Sequence, residues 1–219
     1  MRCCLQVLLP FWLIALSGCT QLGQATIETM GEAVTSRSAK TPVQAEVDAT
    51  PFAKLWLEIP ELGSAIMVLG RSVDNRRFWA TSSQQVLVES DGLVIRSSGL
   101  PQNLSASRWE GFNPFAHGLH RLPQNATAAR IVDWMPGYYA GVRLLTRYSR
   151  PQITAIEING VSTRVMYVEE HLVAEAPARF RATNYFWVDP DNGKVLRSEQ
   201  QLTPEQRIRT TLLKSWWGR

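Results

Sequence analysis

The stretch that indicates the fold class is ITAIEINGVSTRVMYV, residues 153–168. Its two runs, Ile153–Ile158 and Val161–Val168, are rich in β-branched residues and flank the dipeptide Asn159-Gly160. A two-residue hairpin turn of type I′ needs a positive φ angle at both central residues, and Asn-Gly meets that need at low steric cost. The stretch therefore predicts an antiparallel β-hairpin.

Two further turn signals extend this pattern along the chain. Asp91-Gly92 and Asp189–Gly193 consist of residues that favour tight turns, and each lies between two short β-like runs. The runs outside the first hairpin are Lys54–Ile59, Ala65–Leu69, Arg77–Ala80, Gln85–Glu89, Leu93–Ser97, Gly141–Tyr148, Tyr185–Val188, Val195–Leu202 and Arg207–Leu213. A parallel sheet would need crossover helices, and no helical period of sufficient length is present. We therefore predict a mainly β fold, an antiparallel meander with one or two short helices.

One irregular stretch, Ser105–Met135, interrupts the β-like pattern. It contains Trp109, Phe112, Phe115 and Trp134 among Gly, Pro and Asn residues. Because a structureless loop of this length is uncommon inside a domain, we predict that the stretch carries a short helix or an insertion that covers the sheet.

The N-terminus has the pattern of a bacterial lipoprotein signal. Arg2 precedes an apolar stretch from Leu5 to Leu16, which is too short for the roughly 20 residues that a spanning helix requires. The sequence Leu16-Ser17-Gly18-Cys19 then matches the lipobox, in which the cysteine thiol is lipidated and cleavage occurs just before it. Cys3 and Cys4 would leave with the signal, so Cys19 would be the only mature thiol. General lipoprotein sorting associates Thr20, in place of an Asp, with the outer membrane.

These features predict three regions. Residues 1–18 form the signal peptide, and residues 19–50 form a lipidated N-terminus and tether in which Ile27, Met30 and Val34 can line a short amphipathic helix. Residues 51–219 form a single β-rich domain. Removal of Arg2 lowers the net charge from +4 to +3, and no basic run is present that would track phosphates, so nucleic acid is not an expected partner.

Candidate catalytic and metal-binding residues are few. His117 and His120 have an i, i+3 spacing, but no cysteine or acidic residue nearby completes a ligand set, so we expect no metal site. Glu169 and His171 would share a strand face and could cooperate as an acid–base pair. A glycosidase would need two converging carboxylates, for which the candidates are Asp133, Glu157, Glu169 and Asp189. No phosphate loop, dinucleotide motif or nucleophile elbow is present, and we expect neither catalysis nor a cofactor.

Aromatic residues supply the candidate ligand or partner surface. Trp134, Tyr138 and Tyr139 lie beside Gly and Pro in a connection, where rings can stack on sugars or close the end of a barrel. Trp216 and Trp217 can contact a partner or a membrane interface, or cover the core. Three arginines, Arg130, Arg143 and Arg147, could meet an anionic polymer, although solvated strand faces also explain them.

The chain resembles the YjbF/GfcB family of group 4 capsule polysaccharide lipoproteins. The resemblance rests on the lipobox, on Leu55-x-Leu57 followed by Met67-Val-Leu-Gly70 and Trp79, and on a closing motif at residues 186–200. That motif reads Phe186-Trp-Val-Asp189-x-x-x-Gly193-x-Val195-x-x-Ser198-x-Gln200. The resemblance runs from about Pro51 to Leu213 and implies a half-barrel or barrel. It carries no catalytic residues.

Three functional hypotheses follow. The first, implied by the resemblance, is a non-enzymatic accessory lipoprotein of the outer membrane that faces the periplasm and acts in exopolysaccharide or capsule assembly or export. Its partners would be the membrane, exopolysaccharide and export proteins. The second is a carrier of lipid or acyl chains, which would need a continuous apolar lining such as Leu55/Leu57 and Val142/Leu144. The third is a periplasmic glycan hydrolase.

Overall fold

A computed structural model describes residues 47–60, 62–175 and 179–215. The signal peptide, Cys19, the predicted tether helix, Trp216 and Trp217 lie outside these residues. Strand accounts for 62% of the structure. The strands are β1 Lys54–Ile59, β2 Gly63–Val73, β3 Arg76–Ala80, β4 Val86–Ser90, β5 Leu93–Ser98, β6 Asn103–Trp109, β7 Thr127–Met135, β8 Tyr139–Tyr148, β9 Gln152–Ile158, β10 Val161–Ala174, β11 Arg181–Val188, β12 Val195–Gln201 and β13 Arg207–Lys214.

All the strands belong to one antiparallel sheet that is nearly closed into a barrel. Its order is β5-β4-β3-β2-β1-β13-β12-β11-β10-β8-β7-β6, and β9 pairs with β10 outside this path. Neighbours in the sheet are almost always neighbours in sequence, and β1 pairs with β13. The predicted mainly β meander is confirmed.

The two ends of this strand path, β5 and β6, meet at a seam held by side chains. The backbone N–H of Leu104 donates to Ser97 Oγ at 2.9 Å. The Asn103 amide both accepts from the Leu100 N–H and donates to the Leu100 carbonyl. These bonds satisfy backbone groups that an unpaired strand edge would otherwise leave exposed.

Strict alternation of side chains fills the barrel interior. In β8, Val142, Leu144, Thr146 and Tyr148 are buried while the residues between them are exposed. Successive residues of a strand point to opposite faces, so one face of β8 forms core and the other meets solvent. The interior packs as two hydrophobic clusters rather than as an open channel.

The irregular stretch differs from its prediction at both ends. Its outer parts are strands β6 and β7, and only the middle forms a helix, α1 Pro114–His117, followed by a 3₁₀ turn, Leu119–Arg121. The expected short helix is therefore present. Asn113 caps α1 by accepting from the Phe115 and Ala116 N–H groups. Phe115 and Leu119 pack into one of the two core clusters and so close one end of the barrel.

A buried ion pair explains why the sequence pattern does not predict β7. Arg130 occupies an inward position of β7 and donates two hydrogen bonds to Glu170 of β10, at 2.7 and 3.2 Å. Tyr148 and Asn184 donate to the same carboxylate, which is fully buried. The sequence suggested that Arg130 lies on a solvated strand face, and this interpretation is wrong, because the side chain is buried. Its charge interrupted the apolar alternation by which a strand is recognised.

The predicted Asn159-Gly160 hairpin forms an arm that reaches other strands. Its strands β9 and β10 pair in register around that turn. Arg197 of β12 donates to the Glu157 carbonyl at 2.7 Å, and the Asn159 side chain donates to the Leu213 carbonyl of β13 at 3.2 Å. Neither β12 nor β13 pairs with β9, so the tip of the hairpin lies against the barrel wall. None of the helices among the described residues has the length and apolar character needed to cross a bilayer.

Candidate functional site

The turn between β11 and β12 is ordered by its own side chains. Asp189 accepts hydrogen bonds from the Asp191 N–H at 2.8 Å and from the Asn192 amide at 2.9 Å. The Asn192 side chain in turn accepts from the Lys194 N–H at 3.0 Å. Short polar side chains that bond nearby backbone in this way are typical of rigid turns. The arrangement positions Lys194 at the end of the barrel that α1 closes.

A glycine lets the β11–β12 turn and the helical segment approach each other closely. Gly193 has a φ angle of +75°, and a Cβ there would lie 2.1 Å from Nδ1 of His120. The histidine ring therefore lies directly on the glycine backbone. The ring's other nitrogen, Nε2, accepts from Arg121 Nε at 3.0 Å. This bond assigns the ring proton to Nδ1, which is buried without a hydrogen-bond partner among the described residues.

A second contact ties the β4–β5 turn to β12. A Cβ on Gly92 would lie 2.1 Å from Cγ2 of Val195. The buried Gln200 side chain accepts from the Val94 N–H at 3.0 Å and donates to the Gly92 carbonyl at 3.1 Å. It also donates to Ser198, which bonds Thr210. The closing motif thus holds three segments together at one end of the barrel.

These segments surround what we term the end cleft, a cavity of about 590 Å³. It is lined by Arg77, Asp91, residues 115–118, His120, Arg121 and residues 192–195. Its walls carry the cations Arg77, Arg121 and Lys194, together with two histidines and the carboxylate of Asp91. A pocket of this size falls within the range of roughly 300–1,000 Å³ that is usual for ligand sites.

Burial perturbs the titration of several groups at the end cleft. Burial, and next the charge of Arg77, lowers the pKa of Lys194 to about 8. Burial also raises the pKa of Glu89, although Arg77 donates to this carboxylate at 3.0 Å and acts in the opposite direction. The Trp79 indole N–H faces the same carboxylate but lacks full hydrogen-bond geometry. Burial lowers the pKa of His120, with Arg121 as the next cause.

The predicted histidine pair lies at the end cleft. His117 and His120 both line the cavity. Within residues 47–60, 62–175 and 179–215, no three His, Cys, Asp or Glu side chains lie together as metal ligands would. The His120 ring is instead used in contacts with Arg121 and Gly193.

The predicted aromatic surface is divided by the fold, and Trp134 requires a correction. Trp134 is only 2% exposed, because its position in β7 points inward, and it packs in the core against Phe180 and Tyr139. Tyr138 and Tyr139 are 83% and 46% exposed. They lie at the β7–β8 turn, at the opposite end of β7 from the helical segment. They do not contribute to the end cleft.

The four candidate carboxylates are distributed over the fold. They lie on four elements, and none lines the end cleft. Asp133 accepts from the Gly141 N–H at 2.7 Å, and Asp189 is used within its own turn. Glu157 is exposed on the hairpin formed by β9 and β10.

The predicted Glu169–His171 pair does come together, on the outer face of the sheet. Glu169 Oε2 lies 3.3 Å from His171 Nε2, and Nδ1 of that ring lies 3.2 Å from Thr183 Oγ1. This order of groups resembles a nucleophile, a base and an orienting acid. None of the four cavities described along the barrel is lined by these three residues.

The apolar stripes suggested for a carrier form packed core. Leu55, Leu57, Val142 and Leu144 are all buried in one cluster. Next to that cluster lies a void of about 30 Å³, which has room for about one water molecule. An acyl chain would need far more space than this void offers.

Sequence reasoning missed the three cations of the end cleft. Arg77, Arg121 and Lys194 come from β3, the 3₁₀ turn and the β11–β12 turn. Only Lys194 lies inside the motif that was recognised in the sequence, between Gly193 and Val195. The order of the strands brings Arg77 to the cavity, and the helical segment that closes the end of the barrel brings Arg121.

Comparisons with known proteins agree with this architecture. A family model described as group 4 capsule polysaccharide lipoprotein gfcB, YjbF matches residues 27–213. An uncharacterized lipoprotein GfcB of Escherichia coli K12 is 22% identical over 197 residues, which are 90% of this chain and 91% of that protein. The crystal structure of the hypothetical lipoprotein YmcC from Escherichia coli K12 superposes with a TM-score of 0.72 at 19% identity. That superposition covers 91% of this chain and 98% of the other, and it supports the same fold.

Proposed function

Because this chain belongs to the family of group 4 capsule polysaccharide lipoproteins, GfcB/YjbF, we propose that it is a non-enzymatic accessory factor in capsule or exopolysaccharide assembly or export. It acts at the periplasmic face of the outer membrane, held there by lipid on Cys19. Exopolysaccharide and proteins of the export machinery are its partners.

The observation that carries a binding role, rather than a cutting one, is the composition of the end cleft. Among the residues that the structure describes, its walls carry three cations and one carboxylate, whereas glycoside cleavage uses two carboxylates on opposite sides of the bond. The rigid turns around the cleft are suited to holding a ligand, because prior order lowers the entropy lost on binding.

A complementation experiment tests the non-enzymatic role. We expect deletion of the gene to abolish or strongly reduce surface polymer in the bacterium that carries it. The variant Asp133→Asn/Glu157→Gln/Glu169→Gln should restore polymer as well as the wild-type gene does, since none of these carboxylates lines the cleft. The carboxylate of Asp189 is left in place because it orders the turn that carries Lys194. Surface polymer is measured by uronic-acid assay and gel electrophoresis. A folded variant that fails to restore polymer would contradict the non-enzymatic assignment.

Anchoring is tested at the single expected lipid site. Cys19→Ala should remove palmitate labelling and move the protein from the membrane fraction to the soluble periplasmic fraction, because several acyl chains are needed for firm attachment. Cys3→Ala/Cys4→Ala is the matched control and should leave labelling unchanged, since both residues would leave with the signal peptide. Continued palmitate labelling of Cys19→Ala protein would refute the anchor.

A further inference from the structure

The end cleft brings together cations that are far apart in the sequence. Arg77 lies in β3, Arg121 follows α1, and Lys194 lies in the β11–β12 turn, yet all three line one cavity of about 590 Å³. The carboxylate on the wall of the cavity is Asp91. Just behind this wall, Glu89 pairs with Arg77 at 3.0 Å.

We propose that the end cleft binds the carboxylate groups of an acidic polysaccharide, with Arg77, Arg121 and Lys194 as the recognising side chains. This inference rests on the proposed function, because it names the ligand class for the same site. Guanidinium and ammonium groups form charge-assisted hydrogen bonds with carboxylates that are stronger than bonds between neutral groups.

The surroundings of Lys194 favour an incoming anion. The amine is partly removed from water and lies close to a second cation, Arg77, and both effects disfavour its charged form. The carboxylates of Glu89 and Asp189 act in the opposite direction, and a ligand carboxylate would add to their effect. The Arg77 side chain forms an ion pair with Glu89 and remains 33% exposed. Its orientation is thus set before any ligand arrives.

The helical segment fixes the position of Arg121 through the His120 ring. Because Nε2 of His120 accepts from Arg121, the ring carries its proton on Nδ1, which has no partner among the described residues. Uncharged imidazole at neutral pH fits the lowered pKa of His120. The Nδ1 atom is buried against the Gly193 backbone, so the neutral ring positions Arg121 and does not itself contact a ligand.

Calorimetry on the full-length lipoprotein in detergent micelles tests the proposal. The probe is an oligogalacturonate of about four residues, and the same oligomer with methyl-esterified carboxylates is the matched neutral probe. We expect the charged oligomer to bind and the ester to bind at least about tenfold more weakly. Equal binding of the two probes would overturn the proposal, as would the absence of binding by the charged one.

Charge variants locate the site. Arg121→Gln and Lys194→Met should each weaken oligogalacturonate binding by about tenfold, the effect of one lost charge-assisted bond. Arg147→Gln removes the same charge from an exposed strand face and should leave binding unchanged. Asp91→Asn should strengthen binding by about two- to threefold, because it removes the repelling carboxylate from the wall. Equal losses in Arg147→Gln and Lys194→Met would overturn the assignment to this cleft.

The pH profile distinguishes Lys194 from the arginines. Its pKa is about 8 in the free protein, so affinity should fall by up to about tenfold between pH 7 and pH 9 as the amine loses its proton. Lys194→Arg should bind with a flat profile, because guanidinium stays charged throughout. The charged or titratable groups around the amine and on the neighbouring walls are Arg77, Glu89, Asp91, His117, His120, Arg121 and Asp189. A wild-type profile that is flat from pH 7 to pH 9 would overturn the role of Lys194.

Two arms separate this inference from the proposed function. Inorganic phosphate at millimolar concentration should not displace the oligomer, and full displacement would identify a general anion site instead of a saccharide site. If the oligomer fails to bind while gene deletion still abolishes surface polymer, the ligand assignment fails and the proposed function stands. If the oligomer binds but deletion leaves polymer unchanged, the proposed function fails and the cleft remains a saccharide site.

Discussion

Glu170→Ala is expected to lower the free energy of unfolding by about 3–5 kcal/mol, enough to unfold much of the protein at 37 °C. The carboxylate is fully buried and accepts hydrogen bonds from Arg130, Tyr148 and Asn184. Its removal leaves the Arg130 guanidinium charged inside the barrel with no carboxylate partner. Breaking one side of a buried pair is costly for this reason, whatever the net contribution of the intact pair.

Urea unfolding followed by circular dichroism measures this loss. Glu110→Ala is the matched control, because Glu110 pairs with Arg143 on the exposed surface and should contribute no more than about 1 kcal/mol. The double variant Arg130→Met/Glu170→Leu should regain part of the lost stability, since it removes both charges and fills the space with apolar groups. The recovery is incomplete because the buried Tyr148 and Asn184 donors lose their acceptor. A loss below about 1 kcal/mol in Glu170→Ala would show that the pair is not isolated from water as the structure indicates.

Gly92→Ala is expected to cost about 2–5 kcal/mol in the free energy of unfolding. Two effects add. The φ angle of +93° disfavours any residue with a Cβ by about 1–2 kcal/mol, and the new Cβ would lie 2.1 Å from Cγ2 of Val195. Overpacking of this kind costs about 1–3 kcal/mol, and a β-branched neighbour has little rotamer freedom with which to move away.

A second glycine separates the two effects. Gly160 has a φ angle of +75°, and nothing would lie within 4 Å of its added Cβ. Gly160→Ala should therefore cost only the backbone part, about 1–2 kcal/mol. Gly92→Ala/Val195→Ala should be more stable than Gly92→Ala alone, because it removes the methyl group that the new Cβ would contact. Equal losses in Gly92→Ala and Gly160→Ala would show that the contact with Val195 contributes nothing.

The hairpins show how far local sequence reaches. Asn159-Gly160 and Asp91-Gly92 specify their turns through φ preference alone, and both turns appear in the structure with positive φ angles. The strand β10 nevertheless continues to Ala174, beyond the predicted end at Val168. Glu169, Glu170 and His171 look like a polar end of a strand, but Glu170 points inward to Arg130. In the sequence, the charged residues of a buried ion pair cannot be distinguished from surface residues until the partner strand is known.

The mainly β class, the antiparallel order of neighbours and the short helix were determined by the sequence alone, because turns and alternating side chains act between residues close in the chain. The burial of Trp134 and Arg130 was decided by tertiary structure, since each depends on which strand face becomes interior. The end cleft depends on the tertiary structure even more than the burial of these two residues does. Arg77, Arg121 and Lys194 carry no mutual spacing that marks a site, and only the curvature of the sheet and the helical plug bring their charges to one cavity.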